Sequence, residues 1–291
     1  MQKFKEDGVQ EGMLDWLEEV GWDVYRQDEG RGSTILDNRY GRETEEAVYW
    51  ELLKEKIVEI NDNVTKAEAK EIERDLKREL TGEDLIETNK QVYEILRDGK
   101  LHYVEAEGRK VYVDLVSDEL AENSFMAADE YSFRRRQTSA SRLDVTLFVN
   151  GIPLVQVETK SEAQGNTWTK AYSNMKDYEE DEPRMFSTVL LNAVCDGDKF
   201  RYASVGADKK FYFPWRSDSY EEEDYEPEDA TKDLFRPETL MDIFNYFVFF
   251  TSKEKIIPRY MQYYGANKII ERVRKSNLIN EEFLVQQPSS I

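Results

Sequence analysis

The stretch 142–161, RLDVTLFVNGIPLVQVETKS, constrains the fold of this chain more than any other. Two short apolar runs, 145–149 and 152–157, meet at Asn150-Gly151. That dipeptide tolerates the left-handed backbone a tight hairpin requires. Acidic residues stand at the outer ends. Asp144 opens the first run, Glu158 closes the second, and Lys160 follows two residues later. Side chains alternate across a strand, so Glu158 and Lys160 project from one face. Asp144 joins that face only if the loop has an odd number of residues or one strand carries a bulge. A type I turn followed by Gly151 in the left-handed region, a three-residue loop, is the expected device.

Two carboxylates on a rigid edge, with the Thr159 carbonyl between them, are oxygen ligands suited to Mg²⁺. This ion keeps several waters and takes only one or two protein carboxylates along with substrate phosphate. It lowers the pKa of a bound water and polarises a phosphodiester, and Mn²⁺ is expected to substitute. Lys160 then orients the attacking water or offsets charge developing on the phosphorane. Asp144, Glu158 and Lys160 are the candidate catalytic residues, and Asp144, Glu158 and Thr159 the candidate metal ligands. In a chain that is 35% charged such letters also meet by accident. Their position at both ends of so apolar a hairpin is what singles them out.

The segment resembles the nuclease signature of the PD-(D/E)xK superfamily. More narrowly, it resembles the amino-terminal nuclease region of the restriction (motor) subunit of type I restriction-modification enzymes. In that family RPD opens a strand, FVNGLPL makes the turn and ELK closes the second strand. Here these read Arg142-Leu143-Asp144, Phe148-Val149-Asn150-Gly151-Ile152-Pro153-Leu154 and Glu158-Thr159-Lys160. Leu143 replaces the usual Pro and Thr159 the usual apolar residue, and neither change removes a ligand or the lysine. The resemblance implies an α/β fold, a restriction-endonuclease-like mixed sheet flanked by helices, with an N-terminal helical subregion and a C-terminal helical segment. It also implies a Mg²⁺-dependent endonuclease acting on double-stranded DNA after translocation by the complete complex. Separate methylation and specificity subunits would be partners, and ATP would serve only the full-length family.

Two further positions follow from the resemblance. A glutamate near the start of the first helix lies near the metal site in the family, and Glu11 matches it, although a solvated helix-face glutamate reads the same way. Many related nucleases carry Gln-x-x-x-Tyr on the helix after the signature, touching DNA. The register here gives Asn174 and Tyr178, whose other reading is ordinary helix packing.

With 291 residues the chain has ample length for a core. No apolar run approaches the roughly 20 residues that cross a bilayer, and the N-terminus lacks a secretory signal, so no membrane association and a cytoplasmic location are expected. One cysteine, Cys195, excludes an intramolecular disulfide and a Cys-rich zinc site. One histidine, His102, excludes a His-pair metal site. The net charge of −21 sits awkwardly with DNA binding, but global charge governs steering rather than a local groove. Arg134, Arg135, Arg136 and Arg142 form a basic cluster ahead of the active edge, either a DNA contact or a solvated loop.

Along the chain, 9–20 reads as an amphipathic helix stopped at Gly21. Residues 30–41 read as loop, and Thr44 as the N-cap of a helix over 45–60. Helices follow at 66–80 and 85–96, then a hairpin around Gly108, and strands near 123–133, 188–194 and 200–205. The acidic, aperiodic stretch 217–233 reads as a linker. The expected organisation is 1–84 as the helical part of the nuclease domain, 85–216 as its core, 217–236 as linker and 237–291 as the helical start of a motor domain. Gln262 falls where such motors read adenine. No G-x-x-x-x-G-K-[ST] loop occurs, so the chain is expected to be a nuclease portion that does not hydrolyse ATP by itself. Two rivals remain at this point: a catalytically silent module that docks a motor on the methyltransferase core, and a stand-alone PD-(D/E)xK nuclease.

Overall fold

The computed structural model describes residues 6–26, 35–82, 84–134, 141–161, 167–216 and 226–285. Among them the strands run in chain order β1 (Asp23–Tyr25), β2 (Lys100–Val104), β3 (Arg109–Val113), β4 (Phe125–Phe133), β5 (Ser141–Val149), β6 (Ile152–Thr159), β7 (Leu191–Cys195), β8 (Phe200–Ser204), β9 (Phe249–Phe250) and β10 (Lys255–Ile256). Six of them form one sheet in the order β1-β4-β5-β6-β7-β8. Pairing is parallel at β1–β4 and β6–β7 and antiparallel elsewhere in that sheet. β2–β3 and β9–β10 are separate two-stranded ribbons.

The helices are α1 (Glu6–Glu19), α2 (Ile35–Tyr40), α3 (Trp50–Ile60), α4 (Lys66–Glu79), α5 (Leu85–Asp98), α6 (Trp168–Asp181), α7 (Pro227–Leu234), α8 (Pro237–Tyr246) and α9 (Tyr260–Val285). β6 is buried at every residue, as a central strand covered on both faces must be. On one side Val145, Leu147, Val155 and Val157 pack with Met13, Leu14 and Leu17 of α1 and Phe244 of α8. On the other, Phe148 meets Tyr49 and Tyr131, and α6 lays Ala171 against Val194 of β7. This is the expected restriction-endonuclease-like α/β fold, a mixed sheet flanked by helices.

Four local expectations are corrected. The hairpin loop is not three residues long. Asn150 and Gly151 both have positive φ (54° and 82°), the pattern of a two-residue turn. The odd residue sits instead in β6, where Leu147 pairs with Val155 but Phe148 with Pro153, leaving Leu154 as a bulge. The loop is locked from outside. The Tyr49 amide donates to the Gly151 carbonyl at 2.9 Å, and a Cβ on Gly151 would lie 2.8 Å from the Tyr49 carbonyl oxygen.

That same contact explains why Thr44 caps no helix and α3 begins only at Trp50. Tyr49 is held by the hairpin, the Thr44 carbonyl accepts from the Arg134 amide at 2.9 Å and the Ala47 carbonyl from the Tyr131 hydroxyl at 2.7 Å, so this backbone is spent on tertiary bonds. Within the stretch 30–41, α2 forms because Asp37 is buried against Arg42 at 2.7 Å and Tyr49 Oη at 3.0 Å. Lastly, the acidic stretch is not linker throughout. From Pro227 it becomes α7, whose Ala230, Thr231 and Leu234 are buried, and Trp22 of the α1–β1 turn donates to the Phe235 carbonyl at 2.7 Å. The core that contains Leu17 also contains Leu240 and Tyr263, so 226–263 is packed with the sheet rather than strung beyond it.

Candidate active site

Because of the Leu154 bulge, Val145 faces Val157, which sets Asp144 across from Glu158. Without the extra residue Asp144 would oppose Val157 and point to the other face. Asp144 Oδ2 accepts from the Thr159 amide at 2.6 Å and the Thr159 hydroxyl at 2.9 Å. Lys160 Nζ donates to Glu158 Oε1 at 2.9 Å and the Thr159 carbonyl at 2.7 Å, and lies 3.8 Å from Asp144 Oδ2. The structure therefore gathers Asp144, Glu158, Thr159 and Lys160 at one end of the hairpin.

Glu158 is 1% exposed, and its two oxygens are not equivalent. Oε1 takes both Lys160 and the Asn174 amide of α6, at 2.8 Å from the latter, while Oε2 is buried with no hydrogen-bond partner. Burial first, and the Asp144 charge second, push the Glu158 carboxyl up to about 7 against the pull of Lys160. Among the described residues no three His, Cys, Asp or Glu side chains gather as a metal cluster. A cation here would have two carboxylates, with Glu158 Oε2 as the oxygen still lacking a partner.

The other candidates divide. Asn174 reaches Glu158, and Tyr178, a turn further along α6, has its hydroxyl pushed up to about 12 by burial and then by Glu158 and Asp144. Glu11 is not brought to the cluster: it pairs with Arg26 at 3.4 Å, which also holds Asp15 and Glu18. Its neighbour Gln10 arrives instead, donating to the Asp144 carbonyl at 3.1 Å and to Glu130 Oε1 at 3.4 Å. Arg142 pairs with Glu130. Arg134 lies 3.7 Å from Glu45 on an exposed surface, and Arg135 and Arg136 fall outside the described residues.

Gln10 and Glu130 were not legible as site residues. Gln10 differs from Glu11 by one 100° step on a helix whose polar face carries both. Glu130 adopts a positive φ of 53° inside β4, an unfavourable setting for a non-glycine residue that turns its carboxylate toward Gln10 and Arg142.

Comparison with known proteins gives a consistent picture. A profile of the family described as type I restriction enzyme R protein N terminus matches residues 3–211. The type I restriction enzyme HindI endonuclease subunit of Haemophilus influenzae is 26% identical over 282 residues, covering 91% of this chain and 26% of its own length. The type I restriction enzyme EcoprrI endonuclease subunit of Escherichia coli is 30% identical over 163 residues, 52% of this chain and 50% of that protein. The chain thus spans about a quarter of the length of the first relative. No described helix is long and apolar enough to cross a membrane. With the profile matched over most of its length, from α1 past the hairpin to the end of β8, this chain belongs to the type I restriction enzyme R protein N-terminal family.

Proposed function

We propose that the chain is the Mg²⁺-dependent endonuclease region of a type I restriction enzyme R subunit, hydrolysing phosphodiesters of double-stranded DNA. The observation that carries this reading is the buried Glu158 Oε2, a carboxyl oxygen without a hydrogen-bond partner, beside Asp144 and a lysine. An unpaired buried carboxylate oxygen costs several kcal/mol unless something meets it. A hard divalent cation is the partner whose chemistry matches an all-oxygen set. Asp144, Glu158 and the Thr159 carbonyl would hold it, and it would supply Lewis acidity toward a phosphodiester and its attacking water.

The chain's own residues do the remaining work. Thr159 fixes Asp144 through two hydrogen bonds, so that carboxylate is oriented before substrate arrives. Asn174 and Lys160 hold Glu158 by one oxygen and leave the other without a hydrogen-bond partner. Lys160 offsets negative charge accumulating on the phosphoryl oxygens. Sequence recognition and methylation would lie on separate subunits, and cleavage would follow translocation by the complete enzyme.

Calorimetric titration of Mn²⁺ into this chain tests the reading without motor or DNA sequence. Saturable binding lost in Asp144→Ala and kept in Lys160→Ala is the expected result. Binding that survives in Asp144→Ala, or that is missing from the wild type both alone and with a short duplex present, sinks the metal assignment.

A further inference from the structure

The basic residues of this acidic chain are mostly neutralised by neighbouring carboxylates, as Lys54, Lys77 and Lys232 are, each between two glutamates. Among those that depart from that pattern, one group gathers on a single aromatic ring. Arg201 of β8 and Lys209 of the turn after it both lie against the Trp168 ring at the start of α6, at 5.5 and 5.4 Å from its centroid. Arg201 is half-buried, its Nε is buried without a hydrogen-bond partner, and Arg216 is close enough that its like charge, after burial, pulls the Arg201 guanidinium below its ordinary value.

The Asp196 charge opposes that of Arg216 on Arg201, while the oxygens of the nearby acids are engaged elsewhere. Asp196 accepts from the amides of Trp168, Asp198 and Lys199. Asp208 faces Lys210 at 3.9 Å, and Asp198 faces Lys199 at 3.4 Å. A guanidinium and an ammonium on one indole, a second guanidinium beside the first and an unmet buried donor form an arrangement that an anion relieves.

Its place in the sheet says which anion. Arg201 pairs across to Val194, and Val194 to Glu158, which in turn faces Asp144. Directly opposed residues share a face, and α6 covers this one, with Trp168 over Arg201 and Asn174 on Glu158. Two strand spacings of roughly 4.8 Å put Arg201 about 10 Å from Glu158 along one row. A duplex strand rises roughly 3.4 Å per nucleotide and also winds about its axis, so that separation spans at most about three nucleotides of one strand.

We propose that Arg201 and Lys209 on Trp168, with Arg216 beside Arg201, form a phosphate-anchoring subsite that holds the DNA backbone within about three nucleotides of the cleavage site. The inference rests on the nuclease reading above and adds to it a positive region on the same face as the two carboxylates. Such a subsite positions the substrate and carries no sequence information.

The test is anisotropy of a fluorescent duplex of arbitrary sequence, titrated with the full chain in chelator at several salt concentrations. Lys209 and Arg216 are exposed, so Lys209→Gln/Arg216→Gln keeps the fold, and Arg201→Gln is read beside its melting curve. Each variant is expected to bind about tenfold more weakly, with the salt slope reduced by roughly one for each phosphate no longer neutralised. Mn²⁺ titration of the variants stays as in the wild type. Lys90→Gln, which removes an exposed charge on α5, should change neither affinity nor slope. Wild-type binding that both variants match overturns the subsite alone, as does an equal loss in Lys90→Gln. A wild-type chain that binds Mn²⁺ but no duplex under any salt condition overturns the DNA reading together with the subsite.

Discussion

Lys160 and Lys255 are both buried, at 8% and 4% exposure, and only their surroundings tell them apart. Lys160 stands among two carboxylates and a carbonyl. Lys255 donates to Asn89 Oδ1 and the Val189 carbonyl, both at 2.9 Å, and lies between the rings of Tyr93 and Phe250. Burial drives the Lys255 ammonium well below its ordinary pKa. A search for perturbed lysines alone would therefore choose Lys255, yet its bonds are to an amide and a carbonyl rather than to an acid, and they clamp the β9–β10 ribbon onto α5. Titration marks burial. An unmet carboxylate oxygen beside the lysine is what marks chemistry.

The sharpest break of that comparison is Glu158→Gln against Lys255→Met. Glu158→Gln removes the carboxylate whose Oε2 lacks a hydrogen-bond partner and is expected to weaken Mn²⁺ binding by more than about 100-fold, beyond what loss of a supporting residue does. Lys255→Met should leave the calorimetric isotherm unchanged. Asp144 is better tested for its charge as Asn than as Ala, since Asn retains an acceptor for the Thr159 amide. The Ala variant leaves that donor unmet at about 1–3 kcal/mol of folding stability. Equal loss of metal at Lys255→Met would erase the distinction between the two lysines.

Asn89 supports the structural side of the comparison. Its amide donates to the carbonyls of Phe186, Ser187 and Val189, and its oxygen accepts from Lys255. Asn89→Ala strips partners from several buried groups, and a loss of about 2–3 kcal/mol in denaturant unfolding is expected, with Mn²⁺ affinity preserved. A change in metal affinity with little change in stability would move Asn89 from the scaffold to the site.

What sequence could and could not reveal follows the same line between local and tertiary causes. The Asn150-Gly151 turn, the apolar arms and the acids at their ends are local, and the sheet and the family resemblance were legible from them. The Leu154 bulge was not, because an apolar residue in an apolar run carries no mark of being the unpaired one. Thr44 reads as a cap but caps nothing, because Gly151 and Arg134 engage the Tyr49 and Thr44 backbone through contacts distant in sequence. The register of α1 that presents Gln10 rather than Glu11 depends on where the helix docks. A lysine buried as deeply as Lys255 reads in sequence like a solvated one.

The two regions should also respond to pH in opposite directions. The Glu158 carboxyl is raised in the folded chain, so the folded state holds its proton more tightly than the unfolded state does. Metal-free stability is then greatest below the ordinary carboxylate range and declines as pH rises from about 4.5 toward about 7. Lys255 is lowered, so the unfolded state binds more protons on the alkaline side, and stability rises as pH approaches 10.5. Lys255→Met should abolish the alkaline gain and leave the acid-side decline. Metal must compete with the Glu158 proton, and Mn²⁺ affinity is expected to be about tenfold weaker at roughly pH 6 than at pH 8. A flat profile across that interval would mean that Glu158 ligates nothing.

Asn174 gives the smallest effect and the finest test. Its amide bond to Glu158 Oε1 favours the ionised carboxylate, opposing burial and the Asp144 charge. Asn174→Ala therefore raises the Glu158 pKa further, leaving a smaller fraction ionised near neutrality. Mn²⁺ affinity should fall only a few-fold at about pH 7 and return to the wild-type value about two units higher, where the carboxylate is ionised in both proteins. A deficit that persists at high pH would show that Asn174 orients Glu158 geometrically rather than through its proton. That outcome would transfer the residue from the electrostatics of the site to its scaffold, the role Asn89 has beneath Lys255.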